Sequence, residues 1–133
     1  MLGRLNHVAI AVTDLKSAAN TYRDILGAKV GEPLDQPEHG VTVVFIELPN
    51  TKVELITPLG ESSPIFNFLN KNQNGGIHHI CYEVKNLDLS MSILTKNNYK
   101  IIGDKPKIGA HGKSVIFLHP SGFDGTLIEL QEE

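Results

Sequence analysis

Two histidines and two glutamates stand at corresponding places in two copies of one pattern. Leu5-Asn6-His7-Val8-Ala9-Ile10-Ala11-Val12-Thr13-Asp14-Leu15 aligns with Ile77-His78-His79-Ile80-Cys81-Tyr82-Glu83-Val84-Lys85-Asn86-Leu87, which sets His79 72 residues after His7. Val53-Glu54-Leu55 aligns with Ile128-Glu129-Leu130, 75 residues on. A three-residue match is common by chance, so the weight lies in the order. A strand with His, a helix, then a strand with Glu recurs in both halves, the mark of a duplicated module. Taken alone, a strand histidine is ordinarily a hydrogen-bonded surface or core residue, and a strand glutamate ordinarily faces water. Four of them at duplicated positions reverse that balance, because a pseudo-twofold pairs His7 with His79 and Glu54 with Glu129. Two imidazoles and two carboxylates suit a borderline divalent transition metal with positions left open for water or substrate. Calcium or magnesium would favour oxygen ligands alone.

The elements that must carry these residues follow from periodicity. Residues 5–12 alternate as a strand, and Asp14 is placed to cap a helix over roughly 15–26. Leu15, Ala18, Ala19, Tyr22 and Leu26 keep helical spacing for an inward face, and Gly27 ends it. Strands are predicted at 28–32, 41–48 and 51–57. The second copy gives a strand at 77–84, a helix at about 87–97 with Leu87, Met91 and Leu94 inward, and strands near 99–103, 114–118 and 125–131. Between the copies, Pro64 opens a short amphipathic helix with Ile65, Phe68 and Leu69, ending at Asn74-Gly75. The reading is therefore α+β, with two β-α-β-β-β modules at about 4–60 and 76–132 joined by a helix at about 62–73. No flexible linker separates them, so they are expected to form one domain with the site where the copies meet. Strand alternation puts His7 on the side of Ala9 and His79 on the side of Cys81, so each imidazole has a small neighbour two residues on.

Composition removes several function classes. The 133 residues are 41% hydrophobic, enough for one ordinary core, and the net charge of −3 argues against a nucleic-acid surface. The longest apolar stretches, such as Val41–Leu48, fall far short of the roughly 20 residues of a membrane helix. Met1–Arg4 runs directly into a strand, so no targeting peptide is expected, and the single cysteine, Cys81, fits a reducing intracellular compartment. Cys81 itself reads as a small buried core residue. Gly109-Ala110-His111-Gly112-Lys113-Ser114 ends like a phosphate loop, but Lys107 stands where a Walker sequence needs Gly, and a strand follows instead of a helix. It is read as a glycine turn, with Lys107, His111 and Lys113 able to meet an anionic ligand at its rim. His78 and His119 are read as partners of backbone groups.

The duplicated module with His early and Glu late resembles the vicinal oxygen chelate superfamily. More closely, the chain resembles the methylmalonyl-CoA epimerase family over essentially its whole length. The residues that carry this are Leu5–Val12, Pro37-Glu38-His39-Gly40-Val41, Gly75–Cys81, Lys107–Lys113 and Ile116-Phe117-Leu118-His119-Pro120, in that order and spacing. The resemblance implies curved mixed sheets enclosing a metal site whose ligands are His7, Glu54, His79 and Glu129. It implies cobalt as the favoured ion, with zinc, manganese or nickel as the others, and some epimerases have Gln in place of Glu54. It implies interconversion of (R)- and (S)-methylmalonyl-CoA through an enolate, with Glu38 and Glu129 as the acid–base groups on its two sides. Bottom-up, Glu38 is an ordinary charged loop residue. His39 and His111 fall in loops the resemblance places near substrate. A homodimer is the family habit, in the cytoplasm of a bacterium or the mitochondrial matrix of a eukaryote. A glyoxalase-type lactoylglutathione isomerase would use a similar four-ligand site, but the Pro37–Val41 and Gly109–Lys113 segments point to the epimerase. A non-catalytic sequestering protein would lack the four ligands, and an extradiol dioxygenase would use two His and one carboxylate on iron.

Overall fold

Alternation of apolar and polar residues gives the strands, and Asx, Ser and Gly punctuation gives the helices between them. In the computed structural model, which describes residues 1–133, the order is β1 (Leu2–Ala11), α1 (Leu15–Asn20), β2 (Lys29–Val30), β3 (Leu34–Gln36), β4 (Val41–Glu47), β5 (Lys52–Pro58), α2 (Pro64–Lys71), β6 (Gly76–Val84), α3 (Leu87–Lys96), β7 (Ile101–Ile108), β8 (Ser114–Leu118) and β9 (Ile128–Glu132). Each helix has a side-chain cap: Asp14 accepts from Ser17 N, Ser63 from Ile65 N and Asn86 from Leu89 N. No helix is long and apolar enough to cross a membrane.

The contacts divide the chain into two compact units, His7–His78 and Met1–Asn6 with His79–Glu133. In the first, β2 and β3 pair antiparallel with β4, β4 with β5, and β5 runs parallel to β1. Ala19, Val44, Ile46 and Leu55 pack under α1 on one face of this sheet, with Leu15, Ala18 and Tyr22 against them. Ala9, Ala11, Val43 and Ile56 pack on the other face with Ile65 and Phe68 of α2. In the second unit β9 is parallel to β6 and antiparallel to β8, which pairs antiparallel with β7. Its core of Val84, Leu87, Leu94, Ile116, Leu118, Ile128 and Leu130 joins α3 to one sheet face. Each such side chain contributes about 1.5–3 kcal/mol when fully buried. Parallel and antiparallel pairing within each unit makes the sheets mixed and the class α+β.

β1 begins three residues before the strand predicted at 5–12, β9 three residues after the start of that predicted at 125–131, and three other elements depart further. The first helix does not run as one α-helix to residue 26; Thr21–Ile25 is wound as a π turn, closed by Leu26 N donating to Thr21 O over 3.1 Å. The extra residue per turn rotates Leu26 off the inward face, and it is 65% exposed. The predicted strand at 28–32 shrinks to Lys29–Val30, and Leu34–Gln36 forms a separate strand after Gly31 and Pro33. In the second copy the same break appears as a register shift inside β7 between Ile102 and Lys107, so β7 extends to Ile108. Gly103 and Pro106 fall within that shift, at the places of Gly31 and Leu34 one repeat earlier.

Candidate metal and proton-transfer site

Register fixes which side chains share a face. In the unit His7–His78, Ala9 of β1 pairs with Glu54 of β5, which pairs with Phe45 of β4. In the other unit Cys81 of β6 pairs with Glu129 of β9, which pairs with Phe117 of β8. The repeat thus holds to the level of individual rungs, and each histidine lies two residues before the small member of its rung, on the same face. The unit containing Met1–Asn6 anchors the lead-in to His7. Arg4 Nε donates to Glu83 Oε2 over 2.7 Å, and buried Asn6 donates to the same oxygen over 2.9 Å.

All four side chains are removed from water, with 2%, 5%, 7% and 6% exposure for His7, Glu54, His79 and Glu129. The structure brings them together in two pairs. His7 Nδ1 lies 2.8 Å from Glu54 Oε2, and His79 Nε2 lies 3.0 Å from Glu129 Oε2. The first contact is close but not a hydrogen bond: Glu54 Oε2 is buried and accepts none. An orphaned carboxylate oxygen in a dry interior is costly and calls for a partner. A cation suits it. Two ligands about 2.1 Å from one ion and about 90° apart are themselves about 3.0 Å apart, close to both observed separations. The donor types of each pair, and the orphaned atom of the first, therefore fit a divalent ion. Phe117 stands edge-on to His79, ring centroids 5.4 Å apart, and fixes the imidazole plane.

Cys81 is fully buried, in keeping with its reading as a small residue. Its Sγ also lies within 4.8 Å of a Glu129 carboxylate oxygen, so a thiol borders the ligand pair. Strand alternation puts Cys81 on the side of His79; its closeness to Glu129 comes from the parallel rung between β6 and β9. Glu38 sits exposed on a single 3-10 turn, Pro37–His39, between β3 and β4. That turn closes by Gly40 N donating to Pro37 O, and Gly40 adopts φ 65° with Ser63 close behind it. His39 shares the turn. His111 lies in the β7–β8 turn, where Gly109 N donates to Lys113 O over 2.8 Å and the chain passes directly into β8. His119 accepts from Ser121 N through Nδ1, capping the short helix Pro120–Gly122. His78 packs edge-on to Phe68.

Comparison with known proteins gives this arrangement a lineage. The profile of the Glyoxalase/Bleomycin resistance protein/Dioxygenase superfamily matches residues 6–117. The ethylmalonyl-CoA/methylmalonyl-CoA epimerase of Cereibacter sphaeroides is 60% identical over 133 residues, covering 99% of both chains. The mitochondrial methylmalonyl-CoA epimerase of Bos taurus is 56% identical over 98% of this chain and 75% of its own. A methylmalonyl-CoA epimerase solved in complex with methylmalonyl-CoA and NH4+ superposes with a TM-score of 0.93 at 27% identity, covering 100% of this chain and 96% of the other. The chain belongs to the glyoxalase/bleomycin resistance/dioxygenase superfamily and, within it, to the methylmalonyl-CoA epimerase family.

Proposed function

We infer that the chain interconverts (R)- and (S)-methylmalonyl-CoA. The observation that carries the chemistry is the pair of buried His–Glu contacts on matching rungs, one with an orphaned carboxylate oxygen. The reaction removes the proton on the carbon between the thioester and the free carboxylate and returns a proton to the opposite face. His7, Glu54, His79 and Glu129 would hold the divalent ion, cobalt in this reading, with zinc, manganese and nickel as the other ions such a set accepts. When bound, that ion supplies Lewis-acid stabilisation of the negative charge developing on substrate oxygen, worth several kcal/mol.

The chain's own residues do the proton work. Inversion at a planar intermediate needs one acid–base group on each side. Glu129 serves one side: its carboxylate is buried on β9, oriented by His79, and shielded from bulk water. Glu38 serves the other from the turn after β3, where the backbone closure at Gly40 sets its position. When one carboxylate takes the proton, the other delivers its own to the opposite face, and the charge balance is restored. Ala9 and Cys81, small where the neighbouring strands hold Phe45 and Phe117, leave space beside the two imidazoles. Support for Glu38 comes from the family resemblance of Pro37–Val41. A homodimer and an intracellular setting, bacterial cytosol or mitochondrial matrix, complete the reading and rest on the same resemblance.

The test is exchange and inversion in deuterated water with the cobalt-loaded chain. Deuterium enters the α-position of methylmalonyl-CoA and the two epimers equilibrate. Absence of both with cobalt bound overturns the reading.

A further inference from the structure

The charge of this chain is not spread evenly. Residues 96–113 hold Lys96, Lys100, Lys105, Lys107 and Lys113 against a single acid, Asp104. That stretch is +4 in a chain whose net charge is −3, so the remaining residues sum to −7. All five lysines are exposed, and none forms an ion pair within the chain. The cations are therefore open to an external anion.

Two of them lie on the face that carries the site. Lys107 pairs with Val115 across β7 and β8, Ile108 with Ser114, and Gly109 N donates to Lys113 O, which places Lys113 two rungs on and so on the same face. Val115 is two residues from Phe117, the rung partner of Glu129. Lys107 and Lys113 thus share the sheet face of Phe117 and Glu129, towards the β7–β8 turn. Lys113 is four residues from Phe117, about 14 Å along the strand at about 3.4 Å per residue. Gly109 keeps that approach clear, since a Cβ there would come 2.9 Å from the Val115 side chain. Lysines on an edge strand also discourage strand pairing between molecules. That role alone does not require two of them on the face that carries Phe117 and Glu129.

We propose that Lys107 and Lys113 at the β7–β8 turn bind the phosphate groups of the coenzyme A moiety, holding the substrate at a distance from the reacting carbon. The proposal rests on the acyl-CoA reading of the site and assigns the handle of that substrate. It is sequence-neutral chemistry: ammonium groups on a dianionic phosphate, strengthened by a locally positive field and weakened by salt.

The experiment compares the cobalt-loaded chain with Lys107→Ala/Lys113→Ala and Lys107→Arg/Lys113→Arg. Each is assayed with methylmalonyl-CoA and with methylmalonyl-pantetheine, which keeps the malonyl carboxylate and lacks the phosphates. Binding of 3′,5′-ADP is measured calorimetrically on the same proteins. Two partly exposed ion pairs predict about a tenfold rise in KM for the CoA thioester and in Kd for 3′,5′-ADP in the alanine variant. The loss is confined to KM, the pantetheine substrate is unaffected, and the arginine variant restores binding. An unchanged KM and Kd, or an equal loss with both substrates, overturns the proposal. The arms separate the two levels: 3′,5′-ADP bound through the lysines by a chain that epimerises nothing keeps this site and removes the epimerase.

Discussion

Replacing Glu54 with methionine isolates the cost of the orphaned carboxylate. Methionine keeps the length of the side chain and fills a similar volume, while removing the charge and the hard oxygen ligand. With metal stripped by a chelator at about pH 8.5, above the ordinary imidazole range, wild type retains a buried carboxylate oxygen that accepts no hydrogen bond. Such a group costs about 1–3 kcal/mol. The Glu54→Met chain should therefore be about 2 kcal/mol more stable than wild type under these conditions. For 133 residues the unfolding entropy is about 0.28 kcal/mol/K, so the midpoint rises by about 7 °C. Cobalt at about 100 times its Kd then stabilises wild type by about 2.7 kcal/mol, or about 10 °C, and leaves the variant nearly unmoved. The order of the two proteins inverts, with wild type ahead by about 3 °C. Differential scanning calorimetry with and without cobalt reads both differences. A variant less stable than wild type in chelator would show that the carboxylate is already satisfied, and the metal argument built on it would fall.

Two further outcomes follow from other residues. Glu38→Gln should lower interconversion by about 10²–10⁴-fold, the usual worth of a positioned acid–base group, with cobalt content per chain unchanged by elemental analysis; full activity would remove Glu38 from the mechanism. Gly75→Ala puts a Cβ 2.5 Å from the Ala11 carbonyl oxygen at φ +81°, so the connection between α2 and β6 must shift; the expected loss is at least about 2 kcal/mol, and a denaturation midpoint equal to wild type would refute it.

Most of the candidate site is legible in the sequence because duplication does the work an isolated motif cannot. His7 and His79 each lie two residues before the small member of matching rungs, and strand alternation alone puts Ala9 and Cys81 on their faces. Ser63 and Asn86 cap helices whose starts the pattern put within a residue or two. What escaped has a local cause. The apolar spacing of Tyr22 and Leu26 is compatible with an α-helix, and only the backbone bond from Leu26 to Thr21 reveals the wider turn that throws Leu26 into water. β3 carries Asp35 and Gln36 and has no hydrophobic alternation; it is held by its ladder to β4 and by Thr42 donating to Asp35. The Cys81–Glu129 proximity depends on a parallel rung between strands 48 residues apart in sequence, and no local pattern encodes such a register.

The division of the chain at Asn6/His7 and His78/His79 has a consequence for synthesis on the ribosome. Residues 7–78 make one compact unit, whereas Met1–Asn6 belong with residues 79–133. During synthesis Met1–Asn6 therefore emerge ahead of residues 7–78 and find their partners only when residues 79–133 follow. Residues 7–133, 127 in all, are made in that interval, about 6–25 s at about 5–20 residues per second. During it Leu2 and Leu5, with the rest of the leading half of β1, are an unpaired strand edge, the kind of segment that captures neighbouring chains. Arg4 sits in the middle of that segment and later pairs with Glu83; until then it is a charge guarding an open edge. The cost of placing each histidine at a crossing from one unit to the other is a nascent chain that must be protected from its own kind.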